Sequence, residues 1–130
     1  MTTICKDFST EHLTKRQRKI AEAILKAAFG ECINDEDYSP SGNNCQAFHR
    51  PEDWAGEYGK ESVLVVSYSG SDLWYYISMD GCYESAWIAR DAGINVKNTY
   101  ASYERVQAAL KKMGYYLEEC TSGCSAVYKG

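Results

Sequence analysis

Residues 64–81 read LVVSYSGSDLWYYISMDG, two apolar runs on either side of a short polar turn. Apolar runs that flank a turn of Ser, Gly and Asp predict a β-hairpin, with strands at 62–68 and 73–79. Because side chains alternate along a strand, Tyr75 is expected on the uniformly apolar face of this hairpin, and Trp74 and Tyr76 on the opposite face. The stretch therefore predicts one core face and one face that carries two large aromatic side chains.

The second face of this predicted hairpin leaves two interpretations open. If the first helix or the long loop of residues 34–44 covers Trp74 and Tyr76, both side chains belong to the core. If they lie exposed, they mark a binding surface, because monomeric proteins seldom leave large aromatic patches open to water. Solvent exposure of Trp74 and Tyr76 decides between the two.

The sequence downstream predicts two helices and a second hairpin. We expect Asp80 to cap a helix that runs to Ala92, and Asn98 or Thr99 to cap another that ends at Gly114. The last helix has an apolar stripe at helical spacing, and the second hairpin has strands at 115–120 and 125–129 around a turn at 121–124. The predicted stripe is Tyr103, Val106, Leu110 and Met113, and the predicted core face of the hairpin is Tyr115, Leu117, Ala126 and Tyr128, with Tyr116, Glu118 and Lys129 on its reverse.

The sequence upstream begins with a helix. Thr14 and Gln17 fit a capping box, apolar residues follow at helical spacing, and Gly30 ends the run. Pro51 suits the first position of a short helical turn. The element order is then α-ββ-αα-ββ in a single domain over residues 1–130, which predicts an α+β fold. Its small antiparallel sheet would have about four strands, packed by about three helices.

Composition limits the classes of function. The chain has 130 residues, a net charge of −4 and 11 tyrosines. This charge argues against broad, direct binding to nucleic acid, which needs a basic surface, and the run of Lys15, Arg16, Arg18 and Lys19 fits a solvated helix face. No segment reaches the roughly 18 apolar residues of a membrane helix, and no signal peptide precedes the fold, so a cytoplasmic location with reduced cysteines is expected.

Few sequence features point to catalysis or a cofactor. The chain has no glycine-rich phosphate loop, no nucleophile elbow and no CxxC motif, so no cofactor is predicted. A cysteine-dependent enzyme would need one of the 6 cysteines, His49 and an acidic residue to form a thiol-imidazole site. A zinc-stabilised, nucleic-acid-binding module is the other alternative, with Cys45, His49, Cys120 and Cys124 as four ligands of the tetrahedral N/S type.

The leading hypothesis is a small, non-enzymatic inhibitor that binds and blocks a larger protein. In size, charge and lack of a cofactor motif the chain is similar in class to toxin-immunity proteins and to anti-CRISPR and other phage anti-defence proteins. Acidic side chains would steer it to a basic groove, such as one on a nucleic-acid-binding effector, and aromatic side chains would anchor it there. A homodimer closed by the aromatic face is a third hypothesis. The predicted partner-binding residues are Asp35, Glu36, Asp37, Tyr38, Trp74 and Tyr76.

Overall fold

The computed structural model describes residues 8–29, 47–56, 58–68, 73, 77–78, 82, 101–121 and 123–130. Within these ranges two α-helices accompany a four-stranded antiparallel sheet, which confirms the α+β class. The predicted three helices and element order are not matched, since a two-residue strand precedes the one that was expected to open the sheet. The elements are α1 (Lys15–Phe29), β1 (Phe48–His49), a 3-10 turn (Pro51–Asp53), β2 (Leu64–Ser67), α2 (Ala101–Lys112), β3 (Tyr115–Thr121) and β4 (Cys124–Lys129).

The sheet has the strand order β1-β2-β4-β3. Val66 of β2 pairs with Phe48 of β1 on one side and with Ser125 of β4 on the other. Both edges of β2 are therefore occupied by strands that are distant in sequence. The predicted hairpin between 62–68 and 73–79 is wrong, because β2 has no free edge for residues 73–79.

Two helical hydrogen bonds lie in the region that was predicted to form the second strand and the helix after it. The N–H of Ile77 donates to the carbonyl of Leu73 (3.0 Å), and the N–H of Cys82 donates to the carbonyl of Ser78 (2.9 Å). Bonds between residues four apart close helical turns, and they cannot form in a strand. Asp80, the predicted cap of the next helix, and residues 83–92 of that helix lie outside the described part of the chain.

Helix α1 begins at the predicted capping box. The Gln17 N–H donates to Thr14 Oγ1 (3.2 Å), and the Thr14 N–H donates to Gln17 Oε1 (3.0 Å). The Gln17 amide also donates from Nε2 to the carbonyl of Val63 (3.0 Å), which ties the start of α1 to the approach of β2. The expected apolar face is buried, and its fully or nearly fully buried members are Ile20, Ala21, Ile24, Leu25 and Ala28. Gly30, the predicted C-cap, lies outside the described residues.

Helix α2 follows the middle of its predicted stripe, whereas Tyr103 at its start is only half-buried. Val106 and Leu110 are buried, whereas the Met113 side chain is 39% exposed and does not belong to the core. Gly114 then takes a φ of 89°, the left-handed conformation in which glycine commonly ends a helix. In the described part of the chain no helix is long and apolar enough to cross a lipid bilayer.

The β3–β4 hairpin forms at the predicted place but in a different register. Leu117 pairs with Val127 and Tyr116 with Tyr128, and a bulge between Glu119 and Thr121 adds one residue to β3. Val127 therefore lies on the core face, and Ala126 and Tyr128 lie with Tyr116 on the other face. The predicted core face, which placed Ala126 and Tyr128 beside Leu117, is wrong because of this extra residue.

The sheet is covered on both faces. The two helices pack on the face that carries Leu64, Val66 and Val127, and together these elements form the main apolar core. The other face is covered at Val65 and Ala126 by the connection between β1 and β2, where a Cβ built on Gly59 would lie 3.2 Å from Val65 and 3.4 Å from Ala126. A Cβ at this position would be tight against Val65, and the φ of 92° at Gly59 is one that residues other than glycine rarely adopt.

Candidate protein-binding surface

Two tyrosines form a stacked pair on the helix-free face of the hairpin. Tyr116 on β3 and Tyr128 on β4 are direct cross-strand partners, with ring centroids 5.7 Å apart and ring planes at 26°. The Tyr116 side chain is 42% exposed, and Tyr128 is half-buried. Burial raises the pKa of Tyr128, so its phenol is neutral and can donate a hydrogen bond at neutral pH. We call Tyr116 and Tyr128 the tyrosine pair.

A depression of about 400 Å³ lies beside the tyrosine pair. Tyr116 lines it together with Gln107 and Lys111 of α2. Gly114 and Gly130 also line it, and the Gly130 N–H donates to the Gly114 carbonyl (2.8 Å). A concave surface with an exposed tyrosine among its lining residues can receive a side chain of a partner, as an interface hot spot requires.

The edge of β3 next to this depression is held by a side chain. Gln107 Nε2 donates to the Leu117 carbonyl (2.7 Å), and the Leu117 N–H donates to Gln107 Oε1 (2.9 Å). Gln107 Nε2 also donates to the Tyr103 hydroxyl (3.0 Å). The amide thus pairs with the outward backbone groups of Leu117 as a neighbouring strand would. This contact fixes β3 against α2 and blocks strand addition at the centre of the edge.

Two cysteines lie at the other end of the hairpin. Cys120 is the bulged residue and Cys124 begins β4, and the Cys124 thiol lies 3.5 Å from the Thr121 hydroxyl. Both are free thiols, and burial raises the pKa of Cys120. Cys82, which is also free and buried, has its pKa raised by burial. Raised pKa values keep these two thiols protonated, the opposite of what a nucleophilic cysteine needs.

The two histidines lie elsewhere in the fold. His12 Nε2 donates to the carbonyl of Phe48 (2.7 Å), which ties the segment before α1 to β1. The His49 ring packs against the Trp54 indole, with centroids 4.8 Å apart. Among the described residues no three His, Cys, Asp or Glu side chains lie close enough to hold a metal ion, so His49, Cys120 and Cys124 are not brought together. Cys45, the fourth proposed zinc ligand, lies outside the described residues.

The six predicted partner-binding residues lie outside the described part of the chain. They are Asp35, Glu36, Asp37, Tyr38, Trp74 and Tyr76, and their role stays a prediction. The tyrosine pair was not predicted. Tyr116 was expected on a half-solvated face, which its exposure confirms, but Tyr128 was assigned to the core. A Ser-Gly dipeptide at 122–123 indicates the turn, whereas nothing in the local sequence signals the bulge that brings Tyr128 beside Tyr116.

Comparison with known proteins gives no match: no protein-family model, no curated protein and no solved structure matches this chain.

Proposed function

We propose that this chain binds a larger protein and blocks it, and that the tyrosine pair is one of its contact points. The observation that carries the proposal is the exposed Tyr116, which is stacked on the half-buried Tyr128 and lines an open depression. Tyrosine is enriched at protein interfaces because it combines a large apolar ring with a hydrogen-bonding hydroxyl. The rigid hairpin presents both rings at little cost in conformational entropy.

The acidic segment and the second aromatic pair complete the proposal. Asp35, Glu36 and Asp37 would steer the chain toward a basic groove of the target, and Trp74 and Tyr76 would add apolar contacts. A groove that holds nucleic acid in a larger effector has the charge that this mode of binding needs. Burial raises the pKa of Cys82 and of Cys120, so a cysteine-dependent enzyme would have to use another of the cysteines.

The test is quantitative capture of proteins from the native host, followed by an activity assay of the captured protein. Tyr116→Ala together with Tyr128→Ala should weaken binding at least about 30-fold, the effect of losing roughly 2 kcal/mol at a hot spot. Tyr58→Ala is the matched control, because Tyr58 is 53% exposed and lies in the connection between β1 and β2. It should leave binding unchanged.

Three results would contradict the proposal. A captured partner that keeps full activity when saturated with the chain shows binding without inhibition. If the double variant of Tyr116→Ala and Tyr128→Ala binds as tightly as the Tyr58→Ala control, the tyrosine pair does not contact the partner. A chain that only dimerises, as light scattering would show, replaces the inhibitor with self-association.

A further inference from the structure

A second surface lies on the opposite side of the molecule, between the two helices. Helices α1 and α2 run antiparallel, because Arg105 near the start of α2 bonds the end of α1 and Tyr115 after α2 contacts Arg16 at its start. Between them lies an open groove of about 610 Å³. We call it the helical groove.

The lining of the helical groove is apolar at its base and cationic around it. Four alanines, two from each helix, line it together with the exposed Met113. Lys26, Arg105 and Lys112 are its charged residues, and no acidic residue lines it. Small side chains let another backbone approach closely, and methionine adapts to different apolar partners. The surface therefore suits a ligand that is both apolar and negatively charged.

Among the described residues, none of the three cations of the groove forms a salt bridge, and the one ion pair there joins Arg50 and Asp53. Glu22 is the single acidic residue of α1, and Glu104 is the single acidic residue of α2, each against a majority of Lys and Arg. The helical layer is thus basic although the whole chain has a net charge of −4.

Arg105 is held in place before any ligand arrives. Its Nε donates to the Ala27 carbonyl (2.9 Å), and its Nη2 donates to the Ala28 carbonyl (3.2 Å). These bonds satisfy carbonyls at the C-terminal end of α1 and fix the guanidinium at the rim of the groove. A side chain that is already ordered loses little entropy on binding.

We infer that the helical groove docks an acidic, amphipathic segment of a partner protein. A helix with one apolar face and acidic flanks would place apolar side chains on the alanines and Met113, and carboxylates against Lys26, Arg105 and Lys112. A nucleic-acid backbone fits less well, because it offers phosphates but no apolar face, and no aromatic side chain lines the groove for base stacking. This inference does not depend on the tyrosine pair, which lies on the other face of the sheet.

The experiment uses the full chain and three fluorescent probes. These are an acidic amphipathic peptide, a scrambled peptide of the same composition, and a single-stranded oligonucleotide. The acidic amphipathic peptide should bind best, and Lys26→Glu with Lys112→Glu should weaken it at least about tenfold, because two attractive pairs become repulsive. Lys60→Glu with Lys129→Glu is the control, since it makes the same charge change at exposed sites elsewhere.

A second variant tests the shape of the groove without changing its charge. Ala108→Gln puts a bulky neutral side chain at an exposed position of the lining and should also weaken the amphipathic peptide, with the circular dichroism spectrum unchanged. The inference would be overturned if the scrambled peptide bound as tightly as the amphipathic one. It would also be overturned if Lys60→Glu with Lys129→Glu weakened the amphipathic peptide as much as Lys26→Glu with Lys112→Glu. Tighter binding of the oligonucleotide at the same residues would assign the groove to nucleic acid. Dimerisation of the chain that Ala108→Gln abolishes would assign it to a second copy.

Discussion

The Gln107 amide offers the sharpest test of how the hairpin is held. Replacing Gln107 with Met keeps the length of the side chain and removes both of its bonds to the Leu117 backbone. The substitution also removes the bond to the Tyr103 hydroxyl. A typical hydrogen bond contributes about 1 kcal/mol net, so the loss of all three predicts about 3 kcal/mol of destabilisation. At roughly 4 °C per kcal/mol for a chain of this size, Tm should fall by about 12 °C.

A charged replacement sharpens the prediction. Gln107→Glu keeps an oxygen that accepts from the Leu117 N–H, but it places a second carboxylate oxygen where Nε2 lies 2.7 Å from the Leu117 carbonyl. Two oxygens at that distance repel while the carboxyl is ionised. A protonated carboxyl donates to the carbonyl instead, so the folded variant binds this proton more tightly than the unfolded chain. The deficit should therefore be largest at pH 7 and should shrink as the pH falls to about 4, the ordinary pKa of glutamate in an unfolded chain.

The assay is urea unfolding followed by far-ultraviolet circular dichroism at both pH values, because the linear extrapolation gives the free energy of unfolding. Lys111→Met is the control, since it changes an exposed residue on the same helix and should stay within about 0.5 kcal/mol of the wild type. If Gln107→Met is as stable as this control, the amide does not hold the strand. If the Gln107→Glu deficit is the same at both pH values, the repulsion argument is wrong.

Three further substitutions test other contacts by the same unfolding assay. Thr14→Ala should lower the free energy of unfolding by about 1 kcal/mol, because it removes the cap on the Gln17 N–H. Thr14→Ser keeps a hydroxyl that can accept this bond and should be close to the wild type. Gly56→Ala should cost about 1–3 kcal/mol, because its Cβ would lie 2.4 Å from Trp54 Nε1. Tyr68→Phe should cost about 1 kcal/mol at pH 7 through the lost bond to Ser125, and it should reduce the loss of stability above about pH 10.

The loss of stability of the wild type at alkaline pH follows from the raised pKa of Tyr68. Burial raises the pKa of Tyr68 far above its ordinary value, against a smaller opposing effect of its bond with Ser125. The unfolded chain therefore releases this proton first, and the stability that depends on it is present below about pH 10 and falls as the pH rises further. A Tyr68→Phe variant that loses stability as steeply as the wild type between pH 9 and 11 would contradict this.

The clash predicted for Gly56→Ala has its own control. Adding Trp54→Phe to Gly56→Ala should relieve the clash, and a double variant that keeps the full loss of stability would contradict the steric explanation.

Local signals predicted the parts of the fold that depend on neighbouring residues. The capping box at Thr14 and the glycine at position 114 are set by contacts within a few residues, and both are confirmed. The predicted hairpin after β2 failed because the spacing of Leu73 and Ile77 also fits a helical turn, as the bond between them shows. Nothing near β2 indicates that its partners are β1 and β4.

The formation of the tyrosine pair depends on a shift of one residue in the pairing of β3 with β4. An unbulged turn at 122–123 would place Leu117 opposite Tyr128, and that register underlies the wrong assignment of Tyr128 to the core. The bulge at Cys120 moves Tyr128 opposite Tyr116 and so creates the tyrosine pair. The sequence does not predict the helical groove, because its cations come from two helices that only the fold brings side by side.

The position of β4 between β2 and β3 has a consequence for how the chain folds. Helix α1 and the β3–β4 hairpin form from contacts between residues that are close in sequence. Pairing Val66 with Ser125 instead closes a loop of about 60 residues, and the longer loop loses more chain entropy. We therefore expect the hairpin to form early and its docking onto β2 to limit the folding rate. Substitutions at this seam, such as Val66→Ala, should slow folding more than they speed unfolding.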